Sequence, residues 1–245
     1  MTQHDKFDFG FEKVSASEKN ERVSQVFRNV ASSYDLMNDL MSFGLHRLWK
    51  SWFVNSLPLK EGGTYLDVAG GTGDIAQAIF ERLRHYKMNA DIFVSDINFS
   101  MIQKGHLRYP HLTWLGSNAE SLPLKDNSVD VYTISFGLRN VTHKEKALEE
   151  AFRVLKPGGK FCCLEFSQVS APLEKLYDLY AFHIIPKMGK WVASDEASYQ
   201  YLSESIRTFL TREQLAEMMK MVGFEKIKYE IYSGGIVALH TGYKL

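Results

Sequence analysis

The chain has 245 residues and balances 29 Lys and Arg against 29 Asp and Glu, so its formal net charge is zero. A hydrophobic share of 45% and a charged share of 24% are ordinary globular values and exclude collagen, coiled coil and wholesale disorder. Charge balance also argues against a general nucleic-acid binder, which needs a cationic surplus, and no run of about 18 apolar residues exists to span a bilayer.

The stretch Met1 to Lys6 has no apolar region of the kind a secretory signal needs. Asp5, Asp8 and Glu12 fit poorly with an acid-poor transit peptide, so a cytoplasmic location is expected. Residues 1 to about 16 read as loosely ordered. Ser15-x-x-Glu18 is a capping-box pattern that opens a helix. Val23, Val26, Phe27, Val30, Tyr34 and Met37 continue it at helical spacing. A second helical stretch, broken at Gly44, carries Leu40, Met41, Leu45, Leu48, Trp49 and Phe53 and ends at Pro58 and Gly62-Gly63. Residues 1–62 are therefore expected to form a helical cap, and 63–245 a single core.

From Thr64 the pattern changes to short β-like runs alternating with helical ones. The expected strands are Thr64–Val68, Asp91–Ser95, Leu112–Leu115, Val129–Ser135, Lys160–Phe166, Glu225–Tyr232 and Ile236–Tyr243. Helices are expected near 74–84, 98–108, 143–155 and 211–221. Alternating βα units predict an α/β fold: a seven-stranded, mostly parallel sheet with helices on both faces. Ser233-Gly234-Gly235 reads as a terminal hairpin turn, which adds an antiparallel strand. Residues 171–208 are too long for a plain connection and contain Tyr177, Tyr180, Phe182, Trp191, Tyr199 and Tyr201. They read as a helical insertion over the ligand end of the sheet. Cys162 and Cys163 are adjacent on a strand, point to opposite faces, and read as buried thiols. No Cys/His spacing suggests a metal.

The chemistry begins at Leu66-Asp67-Val68-Ala69-Gly70-Gly71-Thr72-Gly73-Asp74, directly after the first strand. Glycines there let the backbone turn tightly and approach a ligand at a helix N-terminus. The second strand ends in Asp96, placed to accept hydrogen bonds from two ribose hydroxyls. Two adenosine ligands compete. Gly71-x-Gly73-x-x-Ala76 formally satisfies the dinucleotide fingerprint of an NAD-dependent oxidoreductase. Asp67, at the strand tip, would repel a pyrophosphate but suits the ammonium and sulfonium of S-adenosylmethionine. After the third strand, the Asn118 amide oxygen can accept the adenine amino proton, although an Asx turn explains it as well.

Two further stretches are specific, Tyr34-Asp35-Leu36-Met37-Asn38 with His46-Arg47-Leu48-Trp49, and Ile134-Ser135-Phe136-Gly137-Leu138-Arg139-Asn140-Val141; a third, Arg153-Val154-Leu155-Lys156-Pro157-Gly158-Gly159-Lys160, holds a Lys-Pro-Gly-Gly turn common to many methyltransferases. With the glycine turn, including Ala69, they resemble the UbiE/COQ5 family of quinone-biosynthesis C-methyltransferases, from about Phe9 to Leu245. The resemblance implies a class I, Rossmann-like S-adenosylmethionine-dependent methyltransferase that methylates a polyprenyl quinol ring. That quinol is a 2-methoxy-6-polyprenyl-1,4-benzoquinol, a demethylmenaquinol, or both. It implies cofactor contacts at Thr72, Asp96, Asn118, Ala119 and Ser135, beside Asp67, Gly71 and Gly73 from the turn itself. It also implies a peripheral place at the inner membrane beside other quinone-biosynthesis proteins, with a homodimer left open. A catalytically silent scaffold subunit stands as the alternative.

Arg139 and Asn140 follow the fourth strand at the ligand edge and are expected in catalysis, Arg139 holding the quinol oxyanion. The base is open between a water held by these two residues and His183. His46, Glu165 and Arg207 are weaker candidates, and Trp49 reads as packing.

Overall fold

The computed structural model describes residues 6–30, 39, 42, 44–169, 179 and 196–245. A hairpin opens it, where loose order was expected. β1 (Phe7–Phe9) and β2 (Glu12–Val14) pair antiparallel across Gly10, whose φ of 59° favours glycine. Each strand has only three residues, too few for alternation to register in sequence. What holds them is tertiary: Phe9 stacks on Tyr201 at 4.2 Å and Phe7 meets the His143 ring edge-on at 4.7 Å.

Helix α1 (Ala16–Val30) starts at half of the expected capping box. The Glu18 N–H donates to Ser15 Oγ at 3.3 Å, but the Glu18 carboxylate turns outward to Arg22 at 2.5 Å. Helix α2 (Leu45–Ser56) follows Gly44, which is left-handed at φ 76°.

Then β3 (Gly63–Val68), α3 (Asp74–His85), β4 (Ala90–Asp96), α4 (Phe99–Arg108), β5 (Thr113–Gly116) and β6 (Val129–Ser135) alternate as expected. A single 3-10 turn (Leu138–Asn140) leads to α5 (Lys144–Val154) and β7 (Leu155–Phe166). β7 begins five residues earlier than expected, because Leu155 pairs with Val129 before a bulge at Pro157-Gly158-Gly159. Helices α6 (Glu196–Arg207) and α7 (Arg212–Val222) precede β8 (Glu225–Tyr232) and β9 (Val237–Tyr243).

The large sheet runs in the order β5-β4-β3-β6-β7-β9-β8. Its pairings are parallel from β5 to β7, and β9 is antiparallel to both neighbours. Side chains alternate between two buried layers. Leu66, Val68, Tyr132, Ile134 and Phe161 meet α5 and α7 on one face, and Tyr65, Val131 and Leu164 meet α2 and α3 on the other. Cys163 and Cys162 divide between those faces, both as buried free thiols whose pKa burial pushes up, that of Cys162 to about 12. Strand order reverses between β3 and β6, which opens a crevice at their C-terminal ends, where open α/β sheets bind ligands.

Candidate functional site

Backbone turns at the crevice are held tightly. Ala69, just after β3, and Phe136, just after β6, are both non-glycine residues at positive φ, 51° and 55°. Such strain costs about 1–3 kcal/mol and persists only where surrounding bonds impose it. Here the Gly70 N–H donates to the Ser95 carbonyl at 3.1 Å and the Phe136 N–H to the Leu164 carbonyl at 2.8 Å. A Cβ on Gly137 would lie 2.5 Å from that of Ala69, so the two turns fit only with glycine there.

Two clefts meet at Ala69, Phe136 and Phe27, residues common to both walls. The clefts enclose about 730 and 830 Å³, open mouths included. The first contains Asp67, Thr72, Ser135 and Arg139. The second contains Gly71, Asp96, Asn118, Ala119 and Asn140. Gly73 lines neither. Its φ of 85° starts α3, and a Cβ there would press on Trp114 at 2.7 Å. His183 and the Tyr34–Asn38 stretch lie outside the described residues, as do Tyr177, Tyr180, Phe182 and Trp191.

In the second cleft, Asp96 fastens the glycine turn. Its Oδ2 accepts the Gly71 N–H at 2.9 Å and its Oδ1 the Asn98 N–H at 2.8 Å. Burial raises its pKa against these bonds. Each oxygen retains a second lone pair. Asn118 makes the Asx turn, its Oδ1 accepting the Glu120 N–H at 3.0 Å. Asn140 accepts the Tyr201 hydroxyl at 3.0 Å, and its buried Nδ2 has no hydrogen-bond partner among the described residues. Helix α1 roofs this cleft with Asn20, Val23 and Ser24.

In the first cleft, Asp67 is 1% exposed. Its Oδ1 accepts the Thr133 hydroxyl at 2.8 Å, while buried Oδ2 has no partner among the described residues. Burial, only partly offset by the Thr133 bond and the Lys50 charge, pushes its pKa up to about 7. Ser135 Oγ is likewise buried without a partner among the described residues. Arg139 is less free than expected. Its guanidinium pairs with Glu165 Oε1 at 2.8 Å, donates to the Phe136 carbonyl, and lies 5.3 Å over the Phe166 ring. Both side chains of the pair are buried.

Other side chains in this cleft carry weak or no sequence signals. His46 and Lys50 come from α2, Phe166 from β7 and Leu202 from α6. Helical spacing offered Phe27 as an inward residue of α1. Leu202 falls in the 171–208 insertion expected over this end of the sheet, but no pattern singled it out. Trp49 packs as expected, 1% exposed, with its indole N–H on Ser233 Oγ at 2.8 Å. Arg207 ends α6 exposed and lines neither cleft.

A model of the ubiE/COQ5 methyltransferase family matches residues 15–244. The chain belongs to the UbiE/COQ5 family. Family membership makes it a methyltransferase and removes the oxidoreductase reading of the glycine turn. The chain is 49% identical to the mitochondrial 2-methoxy-6-polyprenyl-1,4-benzoquinol methylase of Arabidopsis thaliana, over 97% of this chain and 90% of that one. It is 50% identical to the ubiquinone/menaquinone biosynthesis C-methyltransferase UbiE of Hydrogenovibrio crunogenus, over 97% and 95%. Among solved structures, a SAM-dependent methyltransferase of Thermotoga maritima, described as a possible histamine N-methyltransferase, superposes with a TM-score of 0.65. That match covers 90% of this chain and 99% of the other at 21% identity, and speaks to the fold alone.

Proposed function

We propose that this UbiE/COQ5 family member transfers the methyl group of S-adenosylmethionine to a ring carbon of a polyprenyl quinol. The observation that carries this reading is the joined pair of clefts, with two buried polar atoms, Asp67 Oδ2 and Ser135 Oγ, that have no partner among the described residues, in the wall of one. Gly71, Asp96, Asn118 and Ala119 would hold the nucleoside end, and Asp67, Thr72 and Ser135 the amino-acid end. When bound, the sulfonium supplies a methyl group with a good leaving group behind it.

The protein's part is positioning and charge placement. Asp67 offers a buried carboxylate oxygen to an ammonium. Asp96 offers lone pairs to ribose hydroxyls while keeping Gly71 in place. Phe136 and Phe166, with ring centroids 4.8 Å apart, offer apolar faces to a quinol ring beside Arg139 and Asn140. The α1 roof and α6 would keep water from the two clefts.

A lipid substrate also suggests a peripheral membrane contact. Leu45, Leu48 and Trp52 stand exposed on one face of α2, whose other side reaches the first cleft. No described helix is long and apolar enough to cross a membrane.

Asp96→Ala should weaken binding of S-adenosylmethionine by tenfold or more. It removes two charge-assisted contacts of about 1.5–3 kcal/mol each before compensation, and it releases the Gly71 turn. Calorimetric titration reads this, and an unchanged affinity in folded protein would remove Asp96 from the site. For the function itself, quinones from cells lacking the gene are compared by mass spectrometry with those of the parent. Accumulation of a quinone one methyl group short is expected, and its identity names the pathway. An unaltered quinone pool overturns the proposal.

A further inference from the structure

Arg139 is committed to Glu165, and a guanidinium makes a poor base. The first cleft holds a better one. His46, in the first turn of α2, is buried in its wall. Nδ1 lies 2.9 Å from Ser42 Oγ and 3.7 Å from Asp39 Oδ1. Ser42 Oγ also accepts the His46 backbone N–H at 3.1 Å. The Ser42 hydroxyl can serve either tautomer, and the Asp39 carboxylate beside Nδ1 favours the one with its proton on Nδ1. Nε2, at the opposite edge of the ring, is then a free lone pair, with no hydrogen-bond partner among the described residues.

We propose that His46 is the general base of the methyl transfer, which rests on the quinol reading above. Nε2 takes the proton of the quinol hydroxyl as the adjacent ring carbon attacks the methyl group. A C–C bond forms, and the C–S bond breaks with its electron pair remaining on sulfur. The attacked carbon now carries both methyl and hydrogen. Its proton leaves to water, the released pair restores the aromatic ring, and His46 returns its proton to the oxygen. One proton is released overall. His46 also borders an outer groove with Arg47, Asp74 and Glu81, which connects the ring to solvent.

The surroundings keep the ring neutral and ready. Burial lowers its pKa below 6.5, as do Lys50 and Arg47 on its own helix, while Asp39 and Asp74 oppose them. Asp67 on β3 and the Arg139–Glu165 pair after β6 and on β7 are the other charged groups of the cleft.

The test uses His46→Asn, which can still donate toward Ser42, and His46→Gln. Binding of S-adenosylmethionine is titrated alongside turnover of a short-chain quinol across pH. Both variants should bind S-adenosylmethionine within about twofold of the parent and lose about 10²–10⁴ in kcat. The acid limb of the kcat profile should vanish with the imidazole. Turnover within a few-fold of the parent overturns the proposal, as does a loss confined to KM with the acid limb intact. Should neither variant fold, nitrogen NMR of the parent decides: a His46 pKa that fails to match the acid limb also overturns it. A parent protein that binds S-adenosylmethionine yet methylates no quinol refutes the quinol reading instead.

Discussion

Arg139→Ala should both destabilise the protein and silence it. The substitution leaves Glu165 charged, buried and without its partner, which typically costs about 3–5 kcal/mol. It also frees the Phe136 carbonyl, and with it the strained turn between the two clefts. Arg139→Met with Glu165→Leu removes both charges together and should recover most of that stability. Turnover should not recover. If the guanidinium steadies negative charge developing on the quinol oxygen, its loss lowers turnover by about 10²–10³ in either background. Denaturant unfolding and single-turnover methylation of the same preparations read the two effects separately. A double variant with parental turnover would confine Arg139 to a structural role. An Arg139→Ala protein as stable as the parent would contradict the buried pair.

Asp67→Asn should strengthen the empty protein and weaken its hold on S-adenosylmethionine. The folded-state pKa of Asp67 is raised, from an ordinary 3.8 to about 7. The native state therefore binds more protons than the unfolded state between those values, and stability falls as pH rises through that window. The penalty is absent below about pH 4 and complete above about pH 7, and is on the order of 4 kcal/mol. Asparagine removes it, so the variant should unfold later than the parent at pH 8 and at a similar point near pH 4. An ammonium needs the ionised carboxylate, however, so parental affinity should fall as pH drops below about 7. Asparagine should flatten that dependence and weaken binding by about 1.5–3 kcal/mol at pH 8. The nearby charges of Lys50, Asp74 and Asp96 are retained in the variant, which isolates Asp67. Parental affinity at pH 8 in Asp67→Asn would take this carboxylate out of the site.

The parts of the fold written in sequence were those set by local periodicity. Every strand of the large sheet was legible, because apolar residues alternate or run together between glycine-rich turns. Strand ends moved by a single residue, except at Leu155, where pairing ahead of a bulge starts β7 five residues early. The hairpin at Phe7–Val14 was not legible, since its stability comes from Tyr201 and His143, far along the chain. In the site, the glycine turn and Asp96 announced themselves by position at strand ends. The Arg139–Glu165 pair did not. Each residue ends a neighbouring strand or begins the following turn, but only the parallel pairing of β6 with β7 brings them together. Helical spacing turned Phe27 inward, but that it shares one cleft with Leu202 depends on how two helices far apart in sequence pack.

Carbon methylation of a quinol is tested most directly with the purified chain. Purified protein is incubated with a short-chain quinol and S-adenosylmethionine bearing a deuterated methyl group, and the product is analysed by mass spectrometry and NMR. The deuterated methyl group is expected on a ring carbon, with one demethylated cofactor formed for each product. A deuterated methyl group on oxygen, or cofactor binding without transfer, would rule out carbon methylation of the quinol.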